Sequence, residues 1–114
     1  MLLTILTPTF NRSKFLLCAY KCLCEQGYKD FEWLIIDDGS TENIDSFFEE
    51  LQKKKRNSFP IYYYRKENGG KHTAINRGVR EASGELILIL DSDDTLPEDS
   101  LATIAQYYEQ CKGY

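Results

Sequence analysis

Short apolar runs and segments of helical period alternate along the whole chain. Leu2–Leu6 reads as a first strand, ended by Thr7-Pro8. Ser13 is placed to cap a helix running to about Gln26, with Phe15, Ala19, Cys22 and Leu23 as its inner stripe. Phe31–Ile36 is the second strand, and the unbroken Trp33-Leu34-Ile35-Ile36 predicts burial on both faces. Ser40 or Thr41 opens a second helix to about Lys55, with Ile44, Phe47, Phe48 and Leu51 inward. Ile61–Tyr64 is the third strand, followed by a Glu67-Asn68-Gly69-Gly70 turn. A helix from about Lys71 to Ala82 carries Ile75, Gly78, Val79 and Ala82 as its buried stripe. Leu86–Leu90 is the fourth strand, expected to be buried. A last helix has Pro97 in its first turn and Leu101, Ile104, Ala105 and Tyr108 inward.

This βαβαβαβα order with near-continuous apolar strands predicts an α/β fold. It calls for a mainly parallel sheet of about four strands with helices on both faces. In such sheets ligands bind outside the carboxyl ends of the strands. The loops after the four strands are therefore where chemistry is expected.

Composition narrows the classes. At 114 residues the chain is one domain, small for an enzyme. A net charge of −4 argues against a nucleic-acid surface, and Lys53-Lys54-Lys55-Arg56 reads as the solvated end of a helix. Met1 leads straight into the first strand without a basic n-region or a spanning segment, so a cytoplasmic domain is expected. Cys18, Cys22, Cys24 and Cys111 include no Cys-x-x-Cys pair, and His72 is the one histidine, so zinc is not expected. Core packing is the plain reading of Cys18 and Cys22.

The four loops carry the candidates. Thr7-Pro8-Thr9-Phe10-Asn11-Arg12 has no Gly-x-Gly-x-x-Gly, and no Gly-Lys-Ser/Thr loop occurs anywhere, which excludes the two common phosphate-binding fingerprints. Arg12, just before a helix, suits a phosphate, although alone it reads as a surface arginine. In Asp37-Asp38-Gly39-Ser40-Thr41, Asp38 can accept from a base N–H or a ribose hydroxyl, while Ser40 or Thr41 caps the helix. In Glu67-Asn68-Gly69-Gly70-Lys71-His72, the glycines allow close backbone approach. Lys71 is a cation where the helix dipole disfavours one, which favours a functional role, whereas His72 is an ordinary surface or packing residue. Asp91-Ser92-Asp93-Asp94 is either a solvated capping turn or a carboxylate cluster that a hard divalent cation neutralises. Taken alone the cluster is balanced between the two. The other three loops at the same sheet edge tip it towards metal and diphosphate.

Thr7-Pro8-Thr9-Phe10-Asn11-Arg12, Asp37-Asp38-Gly39-Ser40-Thr41, Asn68-Gly69-Gly70 with Asn76-Arg77-Gly78, and Ser83-Gly84-Glu85 running into Leu90-Asp91-Ser92-Asp93-Asp94 together resemble the family-2 glycosyltransferases of the GT-A fold. The motifs stand in family order and cover essentially the whole chain. The resemblance implies a Rossmann-like nucleotide-binding half. It implies a nucleotide-diphosphate sugar donor, usually UDP-linked, and Mn²⁺ or Mg²⁺ as cofactor. It gives Thr9, Arg12 and Lys71 nucleotide contacts, Asp38 the base, Asp91 the ribose side and Asp93 the metal, leaving Asp94 structural. The reaction implied is sugar transfer to an acceptor hydroxyl with inversion, the metal stabilising the leaving diphosphate.

The family's general base is a carboxylate well downstream, and Glu98, Asp99 and Glu109 read as solvated helix residues. The base is therefore expected beyond Tyr114. Residues 1–114 are expected to be the donor-binding part of a longer enzyme, inactive alone, with a saccharide or lipid-linked acceptor bound by the other part. Two further readings compete. One is a nucleotide-binding module without chemistry. The other is a phosphoacceptor receiver, discounted because the acidic pair follows strand two and strand three ends in Tyr64-Arg65-Lys66. The fourth strand is expected to leave a sheet edge open to self-association.

Overall fold

The structure is a computed structural model describing residues 2–41, 49, 59–91, 94 and 96–111. Four parallel strands form one sheet in the order β3-β2-β1-β4: β1 (Leu3–Thr9), β2 (Phe31–Asp37), β3 (Ile61–Arg65) and β4 (Leu86–Ile89). The described helices are α1 (Ser13–Glu25), α2 (Lys71–Glu81) and α3 (Ser100–Cys111). The helix expected from Ser40 to about Lys55 lies almost wholly outside the described residues.

The alternation of side chains along the strands divides the core into two layers. Leu3, Ile5, Phe31, Trp33 and Ile35 meet Leu16, Ala19, Tyr20 and Leu23 of α1 and Leu101 and Ala105 of α3. Leu6, Leu34 and Ile36 face the other way, onto Ala74 of α2. Helices thus cover both faces. Buried polar groups in these layers are paired: the Trp33 indole N–H donates to Thr7 Oγ1 at 2.9 Å. Gln26 ties α1 to the start of α3, donating to the Pro97 carbonyl at 2.8 Å and accepting from the Leu101 amide at 3.1 Å. Gly78 lets α2 settle on β1, since a Cβ there would stand 1.8 Å from Leu6 Cδ1.

Several boundaries and faces differ from expectation. β1 continues through Pro8 to Thr9, paired with Ile36 and Asp37. The Leu90 amide donates to the Leu6 carbonyl, so the even-numbered residues of β1 turn their peptide groups towards β4. Pairing with β4 ends at Leu6–Ile89, so the donor that proline lacks has no ladder to join. Ser13 is the first helical residue and not a cap. Arg12 takes the cap position without a side-chain cap bond. Phe15 points outward at 45% exposure, and Leu16 takes the inner place. Cys18 is exposed and not a core residue. On α2, Val79 is exposed and Ala74 is buried instead. Pro97 precedes α3 and accepts from the Ser100 amide.

β2 is buried along its whole length, as its unbroken apolar run predicts. β4 is half-buried on one face and exposed on the other. It is an edge strand whose Leu86 and Leu88 pack on the α1–α3 layer while Ile87 and Ile89 stay exposed.

Candidate functional site

The chain builds β1, β2 and β3 outward in one direction, then returns to add β4 on the other side of β1. Such a reversal leaves a crevice at the carboxyl ends of the strands. A cleft of about 410 Å³ lies there, lined by Pro8, Thr9, Phe10, Arg12, Asp38, Lys71, Ala74 and Asp91. Five residues singled out in the sequence, Thr9, Arg12, Asp38, Lys71 and Asp91, therefore share one wall-to-wall space. Asp93 lies outside the described residues. His72 is exposed and does not line the cleft.

Thr9 ends β1. Its Oγ1 is buried and has no hydrogen-bond partner among the described residues. Such orphaned hydroxyls are uncommon in folded proteins, because burial removes water without replacing it. The Arg12 guanidinium stacks over the Phe15 ring at 5.6 Å, which explains why that aromatic faces outward. No acidic residue stands in the first turn of α1, leaving the helix's positive end beside Arg12 uncompensated by a carboxylate of its own.

The loop after β2 is held from three sides. Asp37 is fully buried. Its Oδ1 accepts from the Ser40 amide at 2.9 Å and from the Ser40 hydroxyl, and its Oδ2 accepts from the Tyr63 hydroxyl at 2.6 Å. Arg65 donates to the Ser40 carbonyl at 2.6 Å. Asn11, at a φ of +52°, donates its amide to Ser40 Oγ at 2.8 Å and accepts the Thr41 amide at 2.8 Å. Gly39 has a φ of +78° and lies so near the next loop that a Cβ would come within 2.8 Å of the Asn68 amide nitrogen.

Asp38 closes this arrangement. Its Oδ1 accepts from the Lys66 ammonium and from the Gly69 amide at 3.0 Å, and its Oδ2 accepts from the Gly70 amide at 2.9 Å. Asn68 Nδ2 donates to the Asp38 carbonyl at 3.0 Å. Burial pushes this carboxyl up. The Lys66 hydrogen bond, the Gly69 and Gly70 amides and the Lys66 charge outweigh it, and the carboxyl is held below its ordinary value. Asp38 is thus a fixed anion at the cleft wall.

Also lining the cleft, Lys71 at the start of α2 pairs with Asp91 Oδ1 at 2.7 Å, the lysine exposed and the aspartate partly so. The Asp94 amide closes a turn on the Asp91 carbonyl at 2.9 Å. Among the described residues, no three His, Cys, Asp or Glu side chains stand together as a metal site. Asp37, Tyr63, Arg65 and Lys66 escaped sequence reasoning as site-building residues. The available signal was Arg65-Lys66 at a strand's carboxyl end, a cation pair at the edge where anions were already suspected.

The sequence matches the glycosyl transferase family 2 model over residues 4–113. The chain belongs to that family. A glycosyltransferase of Rickettsia conorii, itself uncharacterized, is 36% identical over 108 residues, covering 95% of this chain and 17% of the relative. The GalNAc(5)-diNAcBac-PP-undecaprenol β-1,3-glucosyltransferase of Campylobacter jejuni is 36% identical over 106 residues, covering 91% of this chain and 33% of the relative. This family 2 chain therefore spans about one sixth and one third of the length of these relatives. Among solved structures, S. aureus TarS in complex with UDP-GlcNAc superposes with a TM-score of 0.82 at 26% identity, over 96% of this chain and 32% of that one. The mannosyltransferase PcManGT of Pyrobaculum calidifontis, in complex with GDP-Man and Mn²⁺, gives 0.84 at 25% identity, over 93% and 32%. The fold is that of the GT-A glycosyltransferases.

Proposed function

We propose that the cleft binds the nucleoside diphosphate of a sugar donor, and that the chain is the donor-binding part of a longer enzyme. That enzyme transfers the sugar to an acceptor hydroxyl with inversion. The observation that carries this reading is the buried Thr9 hydroxyl, without a partner among the described residues, in a cleft that also holds Arg12, Lys71 and a fixed anion at Asp38. A diphosphate supplies the acceptors that Thr9 and the cations match, and a nucleobase supplies an N–H for Asp38. UDP is the favoured nucleotide, in line with the TarS complex with UDP-GlcNAc. The PcManGT complex holds GDP-Man, which makes GDP the competing nucleotide.

Asp91 presents a hard carboxylate oxygen at the cleft rim, the donor type Mg²⁺ and Mn²⁺ take, and Asp93 would complete the pair. A divalent cation bound there would supply charge stabilisation to the departing diphosphate. The chain's own residues hold and orient the donor. The general base and the acceptor site, for a saccharide or a lipid-linked sugar, belong to the part beyond Tyr114, so residues 1–114 bind donor without transferring sugar. The donor pool is cytoplasmic in this reading, and the open edge of β4 is where isolated chains would self-associate.

Calorimetric titration with UDP, with and without Mn²⁺, tests the reading. Saturable 1:1 binding that strengthens with the metal is expected. Failure of UDP and GDP alike to bind would refute the donor site, and binding indifferent to metal would remove the cation from Asp91 and Asp93.

A further inference from the structure

Lys66 belongs to none of the motifs that mark the family in this sequence, yet it is the most closely placed cation to the cleft's anion. It leaves β3 beside Asp37, donating its amide to the Asp37 carbonyl at 2.9 Å. Its ammonium then reaches Asp38 Oδ1 and the Glu67 carbonyl at 2.6 Å. The pair is well buried, at 16% and 7% side-chain exposure. The Lys71–Asp91 pair is more exposed, at 60% and 34%. Exposed pairs contribute little, whereas breaking a buried one leaves an uncompensated charge.

A carboxylate has about four in-plane acceptor positions. In Asp38, Lys66 and Gly69 occupy those of Oδ1, and Gly70 occupies one of Oδ2. The other described contact at Oδ2 is a long one, 3.5 Å from Asn68 Nδ2. We propose that Lys66 is a positioning residue for nucleotide recognition. It keeps Asp38 ionised and locks its rotamer, so that one oxygen remains open to a single donor of the base. The inference rests on the donor-site reading above. The other charges around this space are Arg12 before α1, Lys71 on α2 and Asp91 after β4. Of these cations and Lys66, it is Lys66 whose hydrogen bond and charge lower the Asp38 carboxyl.

The consequence is a split between base and phosphate. Without Lys66, burial acts unopposed by a cation and Asp38 protonates more readily. A protonated carboxyl no longer accepts as an anion at that position, so base recognition weakens first on the acidic side. The diphosphate, held by Thr9, Arg12 and Lys71, is untouched.

The test is calorimetry on the 114-residue chain with UDP and with inorganic diphosphate, from mildly acidic to neutral pH, for wild type, Lys66→Met, Lys66→Gln and Lys66→Arg. Lys66→Met is expected to weaken UDP about tenfold and to move the acid limb of UDP binding to higher pH. Diphosphate should change less than about twofold, and Lys66→Arg should restore both UDP affinity and the limb. Lys66→Gln keeps a donor without charge and should still move the limb, which preserves the test if the Met variant does not fold. UDP curves for Met or Gln that superimpose on wild type at every pH would overturn the proposal. So would equal losses for UDP and diphosphate, since a merely structural lysine predicts them. No UDP binding by wild type would overturn the donor reading together with it, an outcome distinct from both.

Discussion

Of the buried carboxylates on and just after β2, Glu32 at 3% exposure and Asp38 at 5% have surroundings that differ in kind. Glu32 lies near the amino end of the sheet. Its Oε2 accepts from the Thr4 hydroxyl at 2.6 Å and the Ser83 amide at 2.7 Å, and the Gly84 amide donates in turn to Thr4 Oγ1 at 2.9 Å. Its described partners are neutral, and it is not among the residues lining the carboxyl-edge cleft. Asp38, at the carboxyl end, has a lysine, two loop amides and a cleft in front of it. Burial of an acid is therefore no mark of function by itself. One carboxylate pins the chain after α2 to the sheet, and the other is fixed in place facing space that a ligand can fill.

The comparison breaks most visibly at Asp38. Asp38→Ala should weaken UDP about a hundredfold and inorganic diphosphate far less, measured by calorimetry. Equal loss for both would remove Asp38 from base recognition. Glu32→Ala should lower unfolding stability by about 2 kcal/mol, because the Thr4 hydroxyl and Ser83 amide lose their acceptor. UDP affinity, measured on the folded variant, should stay within about twofold, and a larger drop would mean the two ends are coupled. Thr9→Val should leave the melting temperature unchanged or raise it, since the hydroxyl it removes has no described partner. The same change should cost about fivefold in UDP affinity, roughly 1 kcal/mol. A loss of stability without loss of binding would make Thr9 structural.

The smallest effect is in pH dependence, and its sign is set by Asp38. Its folded carboxyl is held below the ordinary value, so its contribution to stability is fully present above the usual carboxylate range. That contribution disappears as pH falls through the lowered folded value. Denaturant unfolding of Asp38→Asn should accordingly show a shallower acid decline than wild type. A parallel decline would place the acid sensitivity elsewhere.

The architecture was legible because parallel strands buried on both faces write unbroken apolar runs, and Trp33–Ile36 is such a run. The same reasoning overreached at Leu86–Leu90, whose equally apolar run forms an edge strand with Ile87 and Ile89 exposed. Apolarity records what a strand is suited to face, and the described residues place no layer over those two side chains. Phe15 was misplaced for a related reason: its ring lies under the Arg12 guanidinium at the cleft rim, so it serves as surface there. The loops of the site were legible as groups at one sheet edge. Lys66 was not, because a lysine after a strand ordinarily points to water, and only the loop geometry brings it to Asp38.

In this protein the carboxyl edge of the sheet is proposed to bind a nucleoside diphosphate, while the amino edge is structural. Amide chemical shifts followed by NMR during a UDP titration with Mg²⁺ test it most directly. Saturable shifts are expected at Thr9, Arg12, Asp38, Gly69, Gly70, Lys71 and Asp91, with Glu32, Ser83 and Gly84 unmoved. Shifts confined to the amino edge, or none at saturating UDP, would contradict it.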